Sequence, residues 1–349
     1  QEGRANPRQL YLNKKTLDSF RTQVEEIKEE GMRQNGFAPV VICQLTHSGR
    51  YAKPEGVPAP LIAYNNPLFE KEQPIDKSRI VSDDKLKRLE EAFGATALLA
   101  QEAGFDGADI KCCHRYLLSE MLSAFTRPGD YGGAFENRTR LLRNAIFAAK
   151  GATSGEFLIT SRVNLYDGFA YPYGFGVSPT SGLMPDLTEP KALVTLLHEE
   201  LRLPMLDFTI GNPYVNPHVN RPYDGGPYVP DEHPLEGVAR MLGCIGQLKK
   251  AFPSLCVIGS GFSYLRQFSP YLAAGAVEQS VCDLAGFGRM AFAYPDFPRD
   301  TLYGEGFNAR KTCIACGKCS ALMRAGTVAG CVVRDGETYL PFYQAHCCV

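Results

Sequence analysis

The sequence predicts a parallel α/β fold, either an open doubly wound sheet or a (β/α)8 TIM barrel, ending in a cysteine-rich segment. Three observations point that way. Short apolar, strand-like runs alternate with helix-like segments from residue 16 to residue 285, the pattern of parallel strands joined by crossover helices. No G-x-G-x-x-G follows the first strand-like run, so the dinucleotide-binding form of the open sheet loses ground. Cys313, Cys316, Cys319 and Cys331 fall within nineteen residues, spaced C-x2-C-x2-C-x11-C, and thiolates grouped this closely suit a soft metal centre.

In chain order, Thr16 to Met32 places Leu17, Phe20, Val24, Ile27 and Met32 at helical spacing, with Glu25, Glu26, Glu29 and Glu30 on the other face. Ala38 to Leu45 is a continuous apolar run, as expected of a strand buried on both faces. Thr46 to Pro74 is a long loop rich in Pro, Gly and Asn, a size that tends to be functional. Ser82 caps a second helix carrying Leu86, Leu89, Phe93 and Leu98, and Gly104 ends it. Then follow a strand at 106–111, a helix at 135–150, a strand at 157–163, a helix at 189–201 and a strand at 205–210. Beyond the Pro/Gly/Tyr-rich loop 211–234 come a helix at 235–252, a strand at 255–259, a helix at 263–274 and a strand at 281–285. That makes six strands. Polar and aromatic residues collect just after the strand ends, where barrel enzymes keep their sites.

With 349 residues, 44% of them apolar, the chain can bury one large domain with an appendage, or two domains. A net charge of -1 argues against nucleic acid as a partner. No apolar run approaches the ~18 residues of a membrane span, and no secretory signal opens the chain. Twelve cysteines are many, but Cys43, Cys244, Cys256 and Cys282 sit in apolar runs, where a reduced thiol behaves as a small hydrophobe. A chain this long is no disulfide scaffold, so a reducing cytoplasm is expected. The first residue is Gln1 and not Met, which places the expected natural N-terminus upstream.

Several segments together resemble the old yellow enzyme family of NADH:flavin oxidoreductases. Gln44-Leu45-Thr46-His47-Ser48-Gly49-Arg50 is similar to its Q-L-x-H-x-G-R segment. Gly104-Phe105-Asp106-Gly107-Ala108-Asp109-Ile110, then His114-Arg115-Tyr116-Leu117-Leu118, then Arg127, Asp130-Tyr131-Gly132-Gly133 and Glu136-Asn137-Arg138, are similar to G-F-D-G-V-E-I, H/N-G-Y-L-L and R-x-D-x-Y-G-G-S-x-E-N-R. The cysteine quartet, one residue shorter than that branch's C-x2-C-x3-C-x11-C, narrows the resemblance to the iron–sulfur branch that includes 2,4-dienoyl-CoA reductase. The resemblance spans roughly Gln44 to Cys331 and implies an FMN-binding (β/α)8 TIM barrel over residues 1–295, with a C-terminal iron–sulfur segment over 296–349. It also implies that the first two barrel strands are absent from this chain, since Ala38–Leu45 matches the family's third.

Site residues follow from the same resemblance. Gln44 corresponds to a contact with the flavin pyrimidine and Arg162 to the arginine beside flavin N1 and O2, a salt bridge closing the barrel being the other reading. Ser260 and Gly261, with Gly288 and Arg289, follow the family's seventh and eighth strands, where glycine-rich turns let backbone N–H groups approach a phosphate. Tyr116 matches the tyrosine that protonates the substrate carbon, and His114 a residue that binds the substrate carbonyl. Lys111 stands where the family usually has His; it could polarise an oxygen or pair with an acid at a strand end. His218 and Arg221 match the branch's His-x-x-Arg, whose histidine helps protonation, while His47 reads as structural. Cys313, Cys316, Cys319 and Cys331 match the ligands of a [4Fe–4S] cluster, with tetrahedral zinc as the rival. The vicinal pairs Cys112-Cys113 and Cys347-Cys348 read as packing around the site and as a tail.

The function implied is reduction of an activated C=C bond in a small unsaturated carbonyl or thioester, with electrons from NAD(P)H or a separate donor protein. No membrane partner is expected, and a homo-oligomer is compatible with the sequence. Oxidative demethylation or dehydrogenation of an amine is the second reading, and a zinc-stapled, non-catalytic barrel the third.

Overall fold

A computed structural model describes residues 1–71, 73–225, 228–304 and 306–348. The chain divides into two compact units, residues 1–5 with 9–206 and residues 6–8 with 207–349.

In the first unit, helix α1 (Leu17–Asn35) buries Phe20 and Val24 and stops at Gly36, whose left-handed φ of 78° lets its N–H reach the Met32 carbonyl. Strand β1 (Ile42–Leu45) is shorter than the apolar run that contains it. Ser82 caps helix α2 (Asp83–Glu102) by accepting from the Lys85 N–H, and Asp83 and Asp84 favour the positive end of the helix dipole. α2 buries Leu86, Phe93, Gly94, Ala97 and Ala100. Strand β2 (Gly107–Ile110) follows, then helix α3 (Arg140–Ala152) and strand β3 (Leu158–Asn164). A Cβ on Gly94 would lie 2.9 Å from the Ala148 carbonyl oxygen, so glycine is what lets α2 and α3 approach. β1, β2 and β3 pair in parallel, with Gln44 opposite Asp109 and Asp109 opposite Thr160.

Four sequence expectations are corrected. β1 is not buried on both faces: Leu45 is buried, but Gln44 is exposed and Ile42 and Cys43 are half-buried. A cavity of about 900 Å³ opens beside all four of these residues. The helix expected at 135–150 is two pieces, Phe135–Arg138 and α3, which meet at Thr139, whose hydroxyl donates back to the Phe135 carbonyl. The helix expected at 189–201 is regular only over Thr188–Val194 and widens to a π-turn at Thr195–Glu200. The helix expected at 263–274 is a tight turn at Phe262–Phe268 followed by a helix at Ser269–Glu278. Arg266, at φ 52°, breaks the run, and Pro270 is tolerated in the first turn of the new helix.

Strand β4 (Met205–Thr209) straddles the division between the units. In the second unit, helix α4 (Pro234–Ala251) buries Val238, Met241, Ile245 and Leu248, a 3.6-residue stripe. It leads to strand β5 (Cys256–Gly259), which pairs in parallel with the two-residue strand β6 (Leu284–Ala285). Helices α5 (Lys318–Arg324) and α6 (Gly336–Cys347) close the chain. The αβ alternation and the parallel pairing predicted from the sequence are both present. Among the described residues no helix is long and apolar enough to cross a membrane.

Candidate functional site

The candidate residues fall into two sets, one in each unit. In the first unit, side chains alternate across the sheet, so the register puts Gln44, Asp109, Lys111 and Arg162 on one face. The backbone beyond β2 continues the ladder: the Cys112 N–H donates to the Arg162 carbonyl at 2.8 Å and the Asn164 N–H to the Cys112 carbonyl at 3.0 Å. The Gln44 amide donates to Asp109 at 3.1 Å. Burial pushes the Lys111 ammonium below the usual lysine range; Arg162 adds to this, while Cys113 and Asp109 oppose it. Lys111 Nζ stands 3.8 Å from the centre of the Tyr116 ring, a cation–π contact.

Tyr116 is held by two motifs that interlock. Its ring is buried, and it precedes the short helix Leu117–Leu122. The Leu117 N–H donates to the His47 carbonyl at 3.1 Å, and Arg50 pairs with Glu120 at 2.5 Å and with Glu70. Gly49, at φ 57°, packs where a Cβ would lie 2.9 Å from the Leu117 nitrogen. Gly49→Ala is therefore expected to cost at least ~2 kcal/mol, from left-handed strain plus the clash. A urea titration checks it, read as a lower midpoint at unchanged slope.

Sequence reasoning missed Arg115. It stands where the family motif H/N-G-Y has glycine, and it keeps a glycine-like φ of 55°, next to His114 at 64°. Its side chain is fully buried. The guanidinium donates to Asp167 at 2.8 Å, to the Ser123 hydroxyl at 2.5 Å and to the Tyr173 carbonyl at 3.0 Å, with Phe69 and Phe169 beside it. Burial pulls its pKa down, but Tyr64, Asp167 and Glu120 outweigh that and the net direction is up. The mismatch with the motif glycine was the available signal.

In the second unit, β5 and β6 set Gly259 opposite Ala285, which brings the turn carrying Ser260 and Gly261 next to the one carrying Gly288 and Arg289. Gly261 has φ 103°, and a Cβ there would press on Met241 Sδ at 2.7 Å; a Cβ on Gly288 would meet open space. The Ser260 hydroxyl is committed to the Phe208 carbonyl at 2.9 Å. Two adjacent glycine-containing turns fit a phosphate through backbone N–H groups, not through that hydroxyl.

Arg289 has a second neighbourhood. With Arg221 it lines a cavity whose wall also carries Cys313, Cys316, Cys319 and Cys331. Arg221 Nε and Nη1 and Arg289 Nη1 are buried without a hydrogen-bond partner. Burial lowers both guanidinium pKa values, that of Arg289 to about 10. The Cys313 sulfur accepts from the Ala315 N–H and the Cys331 sulfur from the Arg334 N–H, each at 3.4 Å. Gly317, at φ 78°, starts α5 between Cys316 and Cys319. Among the described residues no group of three or more His, Cys, Asp or Glu side chains is arranged to hold a metal ion. The four thiols nonetheless share one cavity with unpartnered cationic donors, a donor set that fits an anionic, thiolate-bound cluster. His218 does not line it: its Nδ1 meets the Tyr228 hydroxyl at 2.5 Å, and Glu232 lies 3.8 Å from Nε2. Burial pulls the His218 pKa down against the pull of Glu232.

Residues 1–175 match the NADH:flavin oxidoreductase / NADH oxidase family. The chain belongs to that family. An NADPH dehydrogenase from Clostridium acetobutylicum (strain ATCC 824) is 31% identical over 180 residues, covering 51% of this chain and 49% of that protein. One from Bacillus subtilis (strain 168) is 32% identical over 147 residues, covering 41% and 39%. The chain thus spans half or less of the length of these curated relatives. Among solved structures, a 2-naphthoyl-CoA reductase bound to 2-naphthoyl-CoA superposes with a TM-score of 0.73 at 18% identity, over 95% of this chain and 47% of that one. The 6-hydroxypseudooxynicotine amine oxidase of Pseudomonas geniculata N1 gives 0.67 at 21% identity, over 94% and 44%. At such identities the likeness concerns the fold alone. The family is one of flavin oxidoreductases, and the solved structures share this chain's α/β fold.

Proposed function

We propose that this chain is the flavin-binding part of an oxidoreductase that reduces an activated C=C bond of a carbonyl or thioester substrate. Residues 1–295 form the barrel portion, and 296–349 hold a [4Fe–4S] cluster. The observation that carries the reading is the pairing of Tyr116 with Lys111 on the sheet face that also bears Gln44 and Arg162. A phenol beside a buried ammonium is the equipment for placing a proton on carbon while an oxygen is polarised. Bound FMN would supply hydride chemistry at this site. Tyr116 would donate a proton to the substrate α-carbon, and Lys111, with His114, would hold the carbonyl oxygen. Arg162 offers positive charge to the flavin pyrimidine, Gln44 a hydrogen-bonding amide, and the turns at Ser260–Gly261 and Gly288–Arg289 the phosphate site. His218 is a second proton source, its ring oriented by Tyr228. NAD(P)H or a separate donor protein supplies the electrons. Two cations near the substrate position, Lys111 and Arg162, disfavour a cationic amine, the substrate class of the second reading.

Metal and flavin analysis of the protein purified without oxygen tests this. FMN, iron and acid-labile sulfide are expected together, and Cys316→Ser is expected to remove most of the iron. Colourless protein containing zinc would establish the scaffold reading instead, and amine-dependent flavin reduction the amine reading.

A further inference from the structure

We propose that Arg221 and Arg289 compensate the charge of the thiolate-bound cluster and thereby set its reduction potential. The inference rests on the cluster reading above. Both guanidinium groups line the cavity of Cys313, Cys316, Cys319 and Cys331, and no Asp or Glu is among the described residues of its wall. Three of their nitrogens, Nε and Nη1 of Arg221 and Nη1 of Arg289, are shielded from water and bonded to nothing in the protein. The third arginine of the wall, Arg334, is already engaged, its Nε donating to the Thr312 carbonyl at 3.0 Å.

The two guanidinium groups are held in place by the fold. Arg221 follows the short helix Pro217–Asn220, and its N–H is bonded to the Pro217 carbonyl at 2.8 Å. Arg221 Nη2 lies 3.7 Å from where a Cβ on Gly317 would sit, so the guanidinium rests over the turn between Cys316 and Cys319. Arg289 enters from the turn after β6. Buried donors without acceptors cost about 1–3 kcal/mol each, and more when charged. Two like charges side by side make the arrangement worse unless negative charge lies between them. Four thiolates supply it.

Reduction of the cluster adds one electron to a centre that is already anionic; no bond forms or breaks, and no proton is needed. Nearby cations and N–H donors to sulfur favour the reduced state and raise the potential. Removing one is expected to shift the equilibrium at least tenfold towards the oxidised state, or about 59 mV for one electron.

The test is a dithionite titration of the full chain, purified without oxygen and followed by EPR and visible absorbance, for the wild type, Arg221→Gln, Arg289→Gln and Arg221→Lys. Arg221→Gln is expected to keep its flavin, and both Gln variants to titrate at a potential at least about 59 mV lower, with Arg221→Lys restoring most of the shift. Gln variants with full iron content and a wild-type potential would overturn the inference. If Arg221→Gln loses iron, Arg221→Lys decides: retained iron supports charge compensation, and lost iron overturns it. A wild-type protein without iron and sulfide would overturn the cluster assignment itself, before any variant is compared.

Discussion

Tyr116→Phe is expected to slow substrate reduction about 10²–10⁴-fold, the usual contribution of a positioned general acid, while reduction of the flavin by NAD(P)H proceeds at the wild-type rate. The substitution isolates the hydroxyl because the ring has its own job. It lies under the Lys111 ammonium at 3.8 Å and meets the Tyr51 ring at 6.1 Å. Phenylalanine keeps both contacts, so the buried turn keeps its shape. The two half-reactions can be followed separately by stopped-flow absorbance of the flavin. Equal slowing of both would mean that the turn had moved; no slowing of either would remove Tyr116 as the proton source. Lys111→Met acts on a different step. It removes the charge but not the aliphatic stem, so its loss should be felt in substrate binding as well as turnover.

Local signals gave the elements, and tertiary packing gave what local signals could not. The six strands were legible because each is a short apolar run punctuated by Gly, Pro or a helix cap. Ser82 announced α2, and Gly36 ended α1 by a device that needs only its own φ. The division at Thr139 is invisible in the sequence because helical periodicity runs through it. β1 looked doubly buried because composition reports apolarity and not which edges a strand has covered. The spacing of the four cysteines was plain in sequence, but not that Arg221 and Arg289 would join their cavity, from loops on either side of α4, β5 and β6. The Arg289 turn marks a phosphate site in sequence, while its side chain lines the thiol cavity only in the fold. Arg115 was hidden for a related reason: its ion-pair partner, Asp167, is 52 residues away, and only folding brings them together.

Asp167→Ala is expected to destabilise the protein by about 3–5 kcal/mol, the cost of leaving a buried ion without its partner. Arg115 is fully buried, and its left-handed backbone, unusual for a side chain of this size, is tolerated only while the surroundings hold it. Asp167 is its ion-pair partner and is itself fixed on both oxygens. One carboxylate oxygen accepts from Arg115 at 2.8 Å and from the Phe175 N–H at 3.0 Å, and the other from the Asn164 amide at 2.6 Å. Glu120 also acts on Arg115 electrostatically, but its Oε1 is paired with Arg50. The loss should show in urea titration as a lower midpoint. It should also reach the chemistry, because Arg115 is the residue before Tyr116 and any shift of its backbone moves the phenol. The double variant Arg115→Met/Asp167→Ala removes the stranded charge and fills the space with an apolar chain. It is expected to be more stable than Asp167→Ala alone, a coupling that a double-mutant cycle measures directly. If Asp167→Ala costs less than ~1 kcal/mol, the range of an exposed pair, then water or a backbone carbonyl satisfies Arg115, and the ion pair does not hold the turn that presents Tyr116.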